Sequence, residues 1–447
     1  MSQATIETVL TTSVVDAAGH PAWLRDRKTA DLATYDSLPA PDSGTMEDWR
    51  RTDLSGLDLE GVRPGDFDPQ GPDPDAGLSA NFERGGEGGA LVVQQPGRRA
   101  AITVPAALSA QGVVVSTLEA AATTHGDLVR RFLEHEVVPA AAGKFAALNA
   151  GFWRGGTFVY VPRNVSAELP VWATYAPPEP GAGLPAVLPR TLVVVEEGGS
   201  LVFTDEYASG SLGGARLSSA VSEVVLGDGA SIQYLVLQQW PDDVTHIATH
   251  RVHLGRDARA ELVVAATGGA VSKVYMEVAM KGENGTARIS GLVIGDGNQH
   301  FDYQSLQDHF APHCLSDLLV KGALSGESVS VYSGLIKIRK DAQHSDAYQA
   351  NRNLLLSGKA HADSIPMLEI EANDVRCTHG ATVGQVDSDQ LFYLQSRGFS
   401  RKQAEDMLVH GFFQPVIDRI ALPRVRDQIH EAIDSALRGL AGTGVRA

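Results

Sequence analysis

Short apolar runs separated by turn residues fill the chain over residues 155–384. The runs are rich in Val, Ile and Leu and are too short for helices, so they predict β-strands. Turn markers at Gly199, Gly229 and Asp257 are 30 and 28 residues apart, and later gaps are close to this length or to half of it. Strands that repeat without helices between them are typical of a solenoid, in which each coil buries its apolar residues against the next. The pattern therefore predicts a mostly β protein with a β-helix core, which it favours over a β-sandwich.

Helical periodicity replaces the strand pattern at both ends of the chain. Near the N-terminus it predicts helices within residues 23–38, 46–54 and 116–142. Near the C-terminus, capping boxes at Asp387 and Ser400 each start a further helix. We accordingly divide the chain into an N-terminal helical region (1–150), a β-helix core (151–385) and a C-terminal helical domain (386–447).

Two proline-rich segments interrupt these patterns. Residues 63–89 are dense in Pro, Gly and Asp and poor in apolar residues, so we expect a linker or mobile loop there. Residues 176–189 are predicted to form a surface loop, because proline removes backbone donors that a strand ladder needs. Strand-like runs at 90–93 and 112–115 follow the first segment.

Composition limits the classes of function. The formal charge of −17 argues against nucleic-acid binding, because phosphate contacts require a basic face. No apolar run approaches the roughly 18 residues that a membrane span needs, and no basic segment precedes an apolar run at the N-terminus, so we expect neither a span nor a secretory signal. Cys314 and Cys377 are the only cysteines, too few for a disulfide framework, which favours a reducing, cytoplasmic location.

The main candidate for chemistry is the pair Cys377 and His379. Residues two apart in a strand face the same side, so the thiol and the imidazole would project together. Thiolate and imidazole are ligands that iron, iron–sulfur clusters and zinc prefer. Two ligands do not close a tetrahedral site. Either a second chain supplies the others, or the pair is a packed thiol near a hydrogen-bonded imidazole.

Other histidines are assigned structural roles. His309 and His313 are four residues apart, but the proline between them breaks either a helix or a strand, so we do not expect a metal site there. His246, His250 and His253 are predicted at exposed strand positions.

Several familiar catalytic motifs are absent from the sequence. It has no Gly-x-x-x-x-Gly-Lys-Ser/Thr phosphate loop, no Gly-x-Ser-x-Gly elbow and no His-Glu-x-x-His helix. We therefore expect no ATP site and no ATP hydrolysis by this chain, and we do not expect it to be an enzyme.

Aromatic residues accumulate in the C-terminal helices, among them Phe392, Tyr393, Phe412 and Phe413. A short helical tail cannot bury so many rings by itself. The tail is therefore expected either to pack on the solenoid or to dock a partner protein.

A series of motifs after residue 302 points to a known family. They are His309-x-x-Pro312, Ser316-Asp317, Lys321-Gly322, Gly334-Leu-Ile-Lys337, Asp346-Ala-Tyr-Gln349, Asn351-Arg-Asn-Leu-Leu-Leu-Ser357, Pro366-x-Leu-Glu-Ile370, Asp374-Val-x-Cys-x-His-Gly-Ala-Thr-Val-Gly384, Leu391-Phe-Tyr-Leu394 and Ser396-Arg-Gly398. Together these resemble the SufB/SufD family, the scaffold proteins of the SUF iron–sulfur cluster assembly system. The match is dense over residues 302–420 and looser from residue 116. The sequence at 377–384 is similar to the SufD branch, although Thr378 stands where serine is common.

The resemblance implies a right-handed parallel β-helix between helical ends. It implies a complex with SufB and the SufC ATPase, in which β-helix ends pair with SufB and the C-terminal helices dock SufC, and it implies a homodimer when the chain is isolated. The nascent iron–sulfur cluster would be transient and shared with the partner. His379 would help to hold it, with cysteine supplied by SufB and Cys377 as a further ligand. Phe392, Tyr393, Phe412 and Phe413 would contact SufC.

Two other functions stay open at this point. β-Helices also serve carbohydrate-active enzymes, but those use rows of carboxylates, arginines and aromatics on one face, and this chain has only 6% aromatic residues. The chain could instead be a purely structural partner of an ATPase that holds no metal.

Overall fold

The computed structural model describes residues 10–12, 15, 19–79, 82–83, 88–177, 181, 183–208 and 216–442. The strands are β1 (Val62–Pro64), β2 (Ala90–Gln94), β3 (Ala101–Thr103), β4 (Val114–Thr117), β5 (Thr157–Val161), β6 (Val171–Tyr175), β7 (Leu184–Val187), β8 (Arg190–Val195), β9 (Ser200–Tyr207), β10 (Arg216–Leu226), β11 (Ser231–Gln238), β12 (Val244–Leu254), β13 (Arg259–Ala266), β14 (Val271–Met280), β15 (Thr286–Gly295), β16 (His300–His309), β17 (Leu315–Leu324), β18 (Val329–Ile338), β19 (Asp346–Leu355), β20 (His361–Ile370) and β21 (Arg376–Gln385). The helices are α1 (Ala22–Ser37), α2 (Ala106–Ala110), α3 (Leu118–Thr124), α4 (Gly126–Leu133), α5 (Lys144–Phe152), α6 (Ser388–Ser396), α7 (Arg401–Ile417) and α8 (Pro423–Gly442), with 3₁₀ turns at Glu47–Trp49, Ala76–Leu78 and Ala140–Ala142.

Two sheets form the core, and from β8 onward the chain alternates between them. One sheet has the order β20-β18-β16-β14-β12-β10-β8-β5-β4, and the other has the order β21-β19-β17-β15-β13-β11-β9-β6-β2-β3. Neighbouring strands from β8 to β21 are parallel. These strands wind as seven two-stranded coils of a parallel β-solenoid, so the predicted fold class is confirmed.

Consecutive coils stack with a nearly constant offset. Ser231 lies beside Arg259, Arg259 beside Thr286, and Thr286 beside Leu315, so the partners are 28, 27 and 29 residues apart. The turn spacing in the sequence therefore marks one coil, and the half-length gaps mark the passage from one sheet to the other within a coil.

The lumen between the sheets holds the main core, because every second residue of a strand points inward. Aromatic rings stack from coil to coil inside it. The rings of Tyr175 and Tyr207 have centroids 5.5 Å apart, and those of Phe203 and Tyr234 are also 5.5 Å apart. Offset ring stacking adds to the free energy gained by burial.

The N-terminal helices pack against the outside of the early coils. The ring centroids of Trp49 and Phe145 are 5.6 Å apart, so the 47–49 turn and α5 share one apolar cluster. The helix predicted for residues 46–54 is only this single turn, because Thr52 turns its hydroxyl to Asp302 on β16 instead of continuing a helix. The helix predicted for 116–142 is divided at His125 into α3 and α4.

Part of the 176–189 segment is a buried strand, which corrects the predicted surface loop. β7 is buried along its whole length and pairs in parallel with β1 and β10. Pro185 is tolerated because the pairing of β7 with β10 covers only Ala186 and Val187, so Pro185 has a strand neighbour on the β1 side alone. β1 and the ring of Phe67 bring the start of the 63–89 segment against the solenoid, so this stretch does pack.

The C-terminal helices α7 and α8 lie on the outer face of the sheet that contains β9 and β21, called the β9–β21 sheet below. Val416, Ile417, Val425 and Ile429 pack against a cluster that includes Leu292 of β15. α6 differs, because none of its residues is buried. Among the described residues, no helix combines the length and the apolar character that are needed to cross a bilayer.

Candidate functional site

The last coil of the solenoid is open. β20 and β21 are the outermost strands of their sheets, and no described strand pairs with their outer edges. The exposed fractions of Met367, Leu368, Ile370 and Val383 are between 39% and 45%, which is high for apolar side chains. Unpaired backbone groups beside exposed apolar residues form an edge on which another chain can pair.

Cys377 and His379 lie on this open edge. The register between β19 and β21 sets Ala347 beside Cys377 and Gln349 beside His379. Because both β19 residues are buried and point into the lumen, their β21 neighbours face the open end of the lumen. The two candidate ligands therefore share one strand face.

The thiol of Cys377 is half-buried and His379 is exposed. Cys377 packs against an apolar cluster that includes Ile336 and Ala347. Burial, and secondarily the carboxylate of Asp346, raises the pKa of the Cys377 thiol to about 11. Because the thiolate is the form that binds metal, Cys377 needs a nearby cation or metal to lower its pKa before it can serve as a ligand.

The donor atoms suit iron or an iron–sulfur cluster, but this chain supplies only part of a coordination shell. A sulfur and an imidazole nitrogen are donors of the right kind, whereas a cluster normally takes four protein ligands. Within the described ranges, no group of three or more His, Cys, Asp or Glu side chains could hold a metal ion. A metal held at Cys377 and His379 would need ligands from outside these residues.

Polar residues line the lumen just below this pair, and the sequence analysis did not single them out. The buried Gln349 donates from Nε2 to the carbonyl oxygen of Gly334 over 3.2 Å, and Asn353 donates from Nδ2 to Oδ1 of Asn351 over 2.7 Å. Their spacing of two residues in a strand could have revealed them, because alternate polar positions in a buried strand share one face.

Two of the three histidines of β12, His246 and His250, do not lie where they were predicted. His246 and His250 are completely buried inside the lumen, whereas His253 is partly exposed. Nδ1 of His246 lies 3.0 Å from the Ser218 hydroxyl, and Nδ1 of His250 lies 2.9 Å from the Tyr234 hydroxyl. The prediction of exposed positions was wrong because these hydrogen bonds make an inward-facing imidazole acceptable. Burial lowers the pKa of both histidines to about 3.

His309 and His313 are separated in the structure. Buried His309 contacts the Ser316 hydroxyl through Nε2 at 2.8 Å. His313 occupies a turn with a φ of 59° and stacks on His344, with ring centroids 4.8 Å apart. The two imidazoles therefore have different partners.

The four aromatic candidates of the C-terminal helices divide into two groups. Phe392 and Tyr393 on α6 are 73% and 55% exposed, and Tyr393 lines a shallow pocket together with Asp389, Gln390, Leu394 and Leu408. Phe413 is fully buried against the β9–β21 sheet, which corrects its assignment to a docking surface. Phe412 is partly buried, with the Lys321 Nζ 4.6 Å from its ring centroid.

Comparison with known proteins identifies the family. Residues 180–412 match the family model for the SUF system FeS cluster assembly SufBD core domain, and residues 100–172 match that for the SufBD protein N-terminal region. The iron–sulfur cluster assembly protein SufD of Bacillus subtilis is 29% identical over 94% of this chain and 95% of its own length. A SufBD family iron–sulfur cluster assembly protein of Mycobacterium tuberculosis is 35% identical over 66% of this chain and 74% of its own length. SufB of Bacillus subtilis is 30% identical over 69% of this chain and 65% of its own length. The chain therefore belongs to the SufBD family of iron–sulfur cluster assembly proteins.

Proposed function

We propose that this chain is the SufD component of a cytoplasmic SUF scaffold, where it pairs with SufB and docks the SufC ATPase. The match to SufD over nearly the whole chain supports this role over that of SufB. The chain carries no phosphate loop, so ATP hydrolysis belongs to SufC in this proposal. The family assignment gives no support to the carbohydrate-active alternative.

The open last coil is the observation that carries the proposal. The free edges of β20 and β21 and the exposed side chains of Met367, Leu368, Ile370 and Val383 form a surface suited to a second β-solenoid end. Main-chain pairing across such edges gives affinity, and the apolar side chains add buried area. The isolated chain would pair with a second copy through the same edges.

His379 is proposed as a ligand to the nascent iron–sulfur cluster, which is cargo of the assembly. The imidazole lies exposed on the pairing edge, so a cysteine-bearing partner can approach it. Cys377 is the weaker candidate because its raised pKa keeps the thiol protonated near neutral pH.

α6 is proposed as the main contact for SufC. It exposes Phe392 and Tyr393, and none of its residues is buried. A helix with exposed aromatic side chains in the free chain is suited to binding a partner protein. Large aromatic side chains are frequent anchors of protein interfaces.

The experiment is co-expression with SufB and SufC, followed by measurement of iron and sulfide in the purified complex. His379→Ala should leave the complex intact and weaken cluster retention about tenfold or more. His361→Ala is the matched control, because His361 is an exposed histidine of the same coil, with a 63% exposed side chain, that lies on the outer face. If the His379→Ala complex contains as much iron and sulfide as the wild-type complex, His379 is not a cluster ligand, and the alternative of a purely structural partner is favoured. Failure to recover SufB and SufC with the wild-type chain would overturn the assignment to this complex.

A further inference from the structure

Three side chains that have no part in the proposed function meet between α7 and α8. His410 comes from α7, and His430 and Asp434 come from α8. The two α8 residues are four apart, so they lie one turn apart on the same face of the helix. His410 contacts both, because its Nδ1 is 3.2 Å from Nδ1 of His430 and its Nε2 is 2.9 Å from Oδ1 of Asp434.

The carboxylate of Asp434 sets the tautomer of His410. A carboxylate only accepts hydrogen bonds, so Nε2 of His410 carries a proton and donates it. In the neutral ring Nδ1 of His410 then has no proton, and its lone pair faces His430. Histidines that bind metal ions usually donate their other ring N–H to a carboxylate or a carbonyl in this way. Asp434 therefore orients the imidazole of His410 as it would orient a metal ligand.

The separation of the two Nδ1 atoms suits a metal ion. The ring centroids are 5.4 Å apart and the Nδ1 atoms only 3.2 Å, so the Nδ1 edges of the rings are turned toward each other. Zinc binds imidazole nitrogen at about 2.0–2.1 Å, and two such bonds to atoms 3.2 Å apart enclose an angle of about 100–106°. A tetrahedral site has angles of about 109°. The ion would lie beside the line that joins the two atoms, and a small rotation of each ring would direct both lone pairs at it.

Without a metal ion, one proton links the two rings. Nδ1 of His430 must donate to Nδ1 of His410, since the latter has no proton to give. When a divalent ion binds, the Nδ1 proton of His430 leaves to water and Nε2 of the same ring takes up a proton from water. Both rings stay neutral, no proton is released overall, and each Nδ1 has a lone pair for the metal.

The donor atoms determine which ions fit. Imidazole nitrogen suits zinc, copper, nickel and iron, whereas magnesium and calcium prefer oxygen ligands. Among the side chains that the structure describes, no third His, Cys, Asp or Glu joins the two imidazoles to form a larger set of ligands. The side chain of His410 is 27% exposed and that of Asp434 is 52% exposed, so water reaches the cluster and can complete the coordination shell.

We propose that His410 and His430 bind a divalent transition-metal ion such as Zn²⁺, and that this ion joins α7 to α8. Asp434 is a positioning residue that acts through His410. The site is separate from Cys377 and His379, and it does not depend on the proposed role in cluster assembly.

Isothermal titration calorimetry of the full-length chain with ZnCl₂ tests the site. A Cys377→Ser, His379→Ala background removes the other candidate ligands, and we expect a single zinc ion to bind each chain. Asp434→Asn should weaken zinc binding by about 10- to 100-fold, which is the usual effect of losing an outer partner of a metal-bound histidine. His410→Ala and His430→Ala should each weaken it further. Circular dichroism establishes that each variant is folded.

His344→Ala is the matched control. His344 also pairs with an aspartate, with its Nδ1 3.0 Å from Oδ2 of Asp374, and it also stacks on a second imidazole, that of His313. In the described part of the chain, however, no hydrogen bond joins the nitrogens of these two rings, whose centroids are 4.8 Å apart. His344→Ala should therefore leave the zinc affinity unchanged.

Zinc binding that is weakened in His410→Ala and His430→Ala but kept in His344→Ala supports the proposal. The proposal is overturned if zinc does not bind at millimolar concentration or if MgCl₂ binds as tightly as ZnCl₂. It is also overturned if His344→Ala weakens binding as much as His430→Ala does. If His410→Ala does not fold, His430→Ala and Asp434→Asn decide the test. The proposed function is tested separately, by the iron and sulfide content of the complex.

Discussion

Lys273 and Asp302 form a buried ion pair in which the Nζ of Lys273 lies 2.6 Å from Oδ2 of Asp302. The lysine and aspartate side chains are 0% and 2% exposed. The pair anchors the N-terminal region, because Lys273 also donates to the carbonyl oxygen of Asp48 over 2.7 Å and Thr52 donates to Asp302 over 2.5 Å. The interaction thus joins residues 48–52 to two neighbouring strands, β14 and β16.

Asp302→Ala should destabilise the protein strongly, because it removes the buried carboxylate beside Lys273 and leaves only Asp48 Oδ1, 3.9 Å from Nζ, as a counter-charge. We expect a loss of about 3–5 kcal/mol in the free energy of unfolding, measured by urea denaturation. Lys337→Ala is the control, because Lys337 on β18 pairs at 2.6 Å with Glu369 on β20, and this partly exposed pair links the last two coils. Surface pairs contribute at most about 1 kcal/mol. Equal losses in the two variants would contradict the anchoring role of Asp302.

Asp205→Asn should change how stability depends on pH. Asp205 is fully buried in the lumen, where Oδ2 accepts from the Tyr234 hydroxyl over 2.6 Å and from the Ser222 hydroxyl over 3.1 Å. Burial raises the pKa of the Asp205 carboxyl to about 7 and outweighs these hydrogen bonds, which lower it. Between about pH 4 and pH 7 the folded state therefore holds a proton that the unfolded state has lost. The contribution of Asp205 to stability is full below this window and is lost as pH rises through it.

The test is urea denaturation of the wild-type chain and the Asn variant from pH 4 to pH 8. The free energy of unfolding of the variant should rise relative to wild type by up to about 1.4 kcal/mol per pH unit, and the difference should level off above pH 7. His246 and His250 contribute with the opposite sign, because their lowered pKa values favour the folded state as pH rises. Both proteins contain these histidines, so the comparison isolates Asp205. Parallel stability curves would show that its carboxyl is ionised throughout.

The sequence was sufficient to predict the coils but not what lies inside or between them. Turn residues such as Gly229 and Asp257 repeat once per coil, because each coil makes the same turns at the same places. The inward direction of His246 could not be predicted, because it depends on the hydroxyl of Ser218 on a neighbouring strand. The position of α8 on the solenoid involves the contact between Gln428 and Glu206, which are 222 residues apart. Local patterns carry no information on such a contact.

Phe413→Ala should reduce the stability of the fold, whereas Phe392→Ala should reduce partner binding and leave stability nearly unchanged. Phe413 is fully buried on the inner face of α7, so its truncation should cost about 3–5 kcal/mol of folding free energy. Phe392 is 73% exposed, so its truncation should change stability by no more than about 0.5 kcal/mol. If α6 docks SufC, Phe392→Ala should instead weaken that binding by about 2 kcal/mol, or roughly 30-fold. Thermal melts and a pull-down with SufC measure the two effects. Unchanged SufC binding in Phe392→Ala, Tyr393→Ala and their double variant would remove α6 from the interface.

Alkylation of Cys377 should be slow at neutral pH and should accelerate well into the alkaline range. Burial and the Asp346 carboxylate raise the pKa of the thiol to about 11, so its thiolate fraction near pH 8 is roughly 240-fold below that of a free cysteine. The higher nucleophilicity of a more basic thiolate recovers part of this loss, and we expect iodoacetamide to react roughly 15- to 25-fold more slowly than with glutathione. A Cys314→Ser background makes Cys377 the only thiol in the chain.

Asp346→Asn is the informative second variant. Removal of this carboxylate should lower the pKa of Cys377 and speed its alkylation, whereas Asp363→Asn on β20, the other strand of the same coil, should not. If the alkylation rate of the wild-type chain reaches its plateau near pH 8, the thiolate forms near neutral pH without a metal or a cationic partner. Cys377 would then be as suitable a ligand as His379. If the alkylation rate is still rising above pH 10, the thiol needs a metal or a cationic partner to ionise at neutral pH. His379 would then be the ligand of this chain that is available before a metal binds.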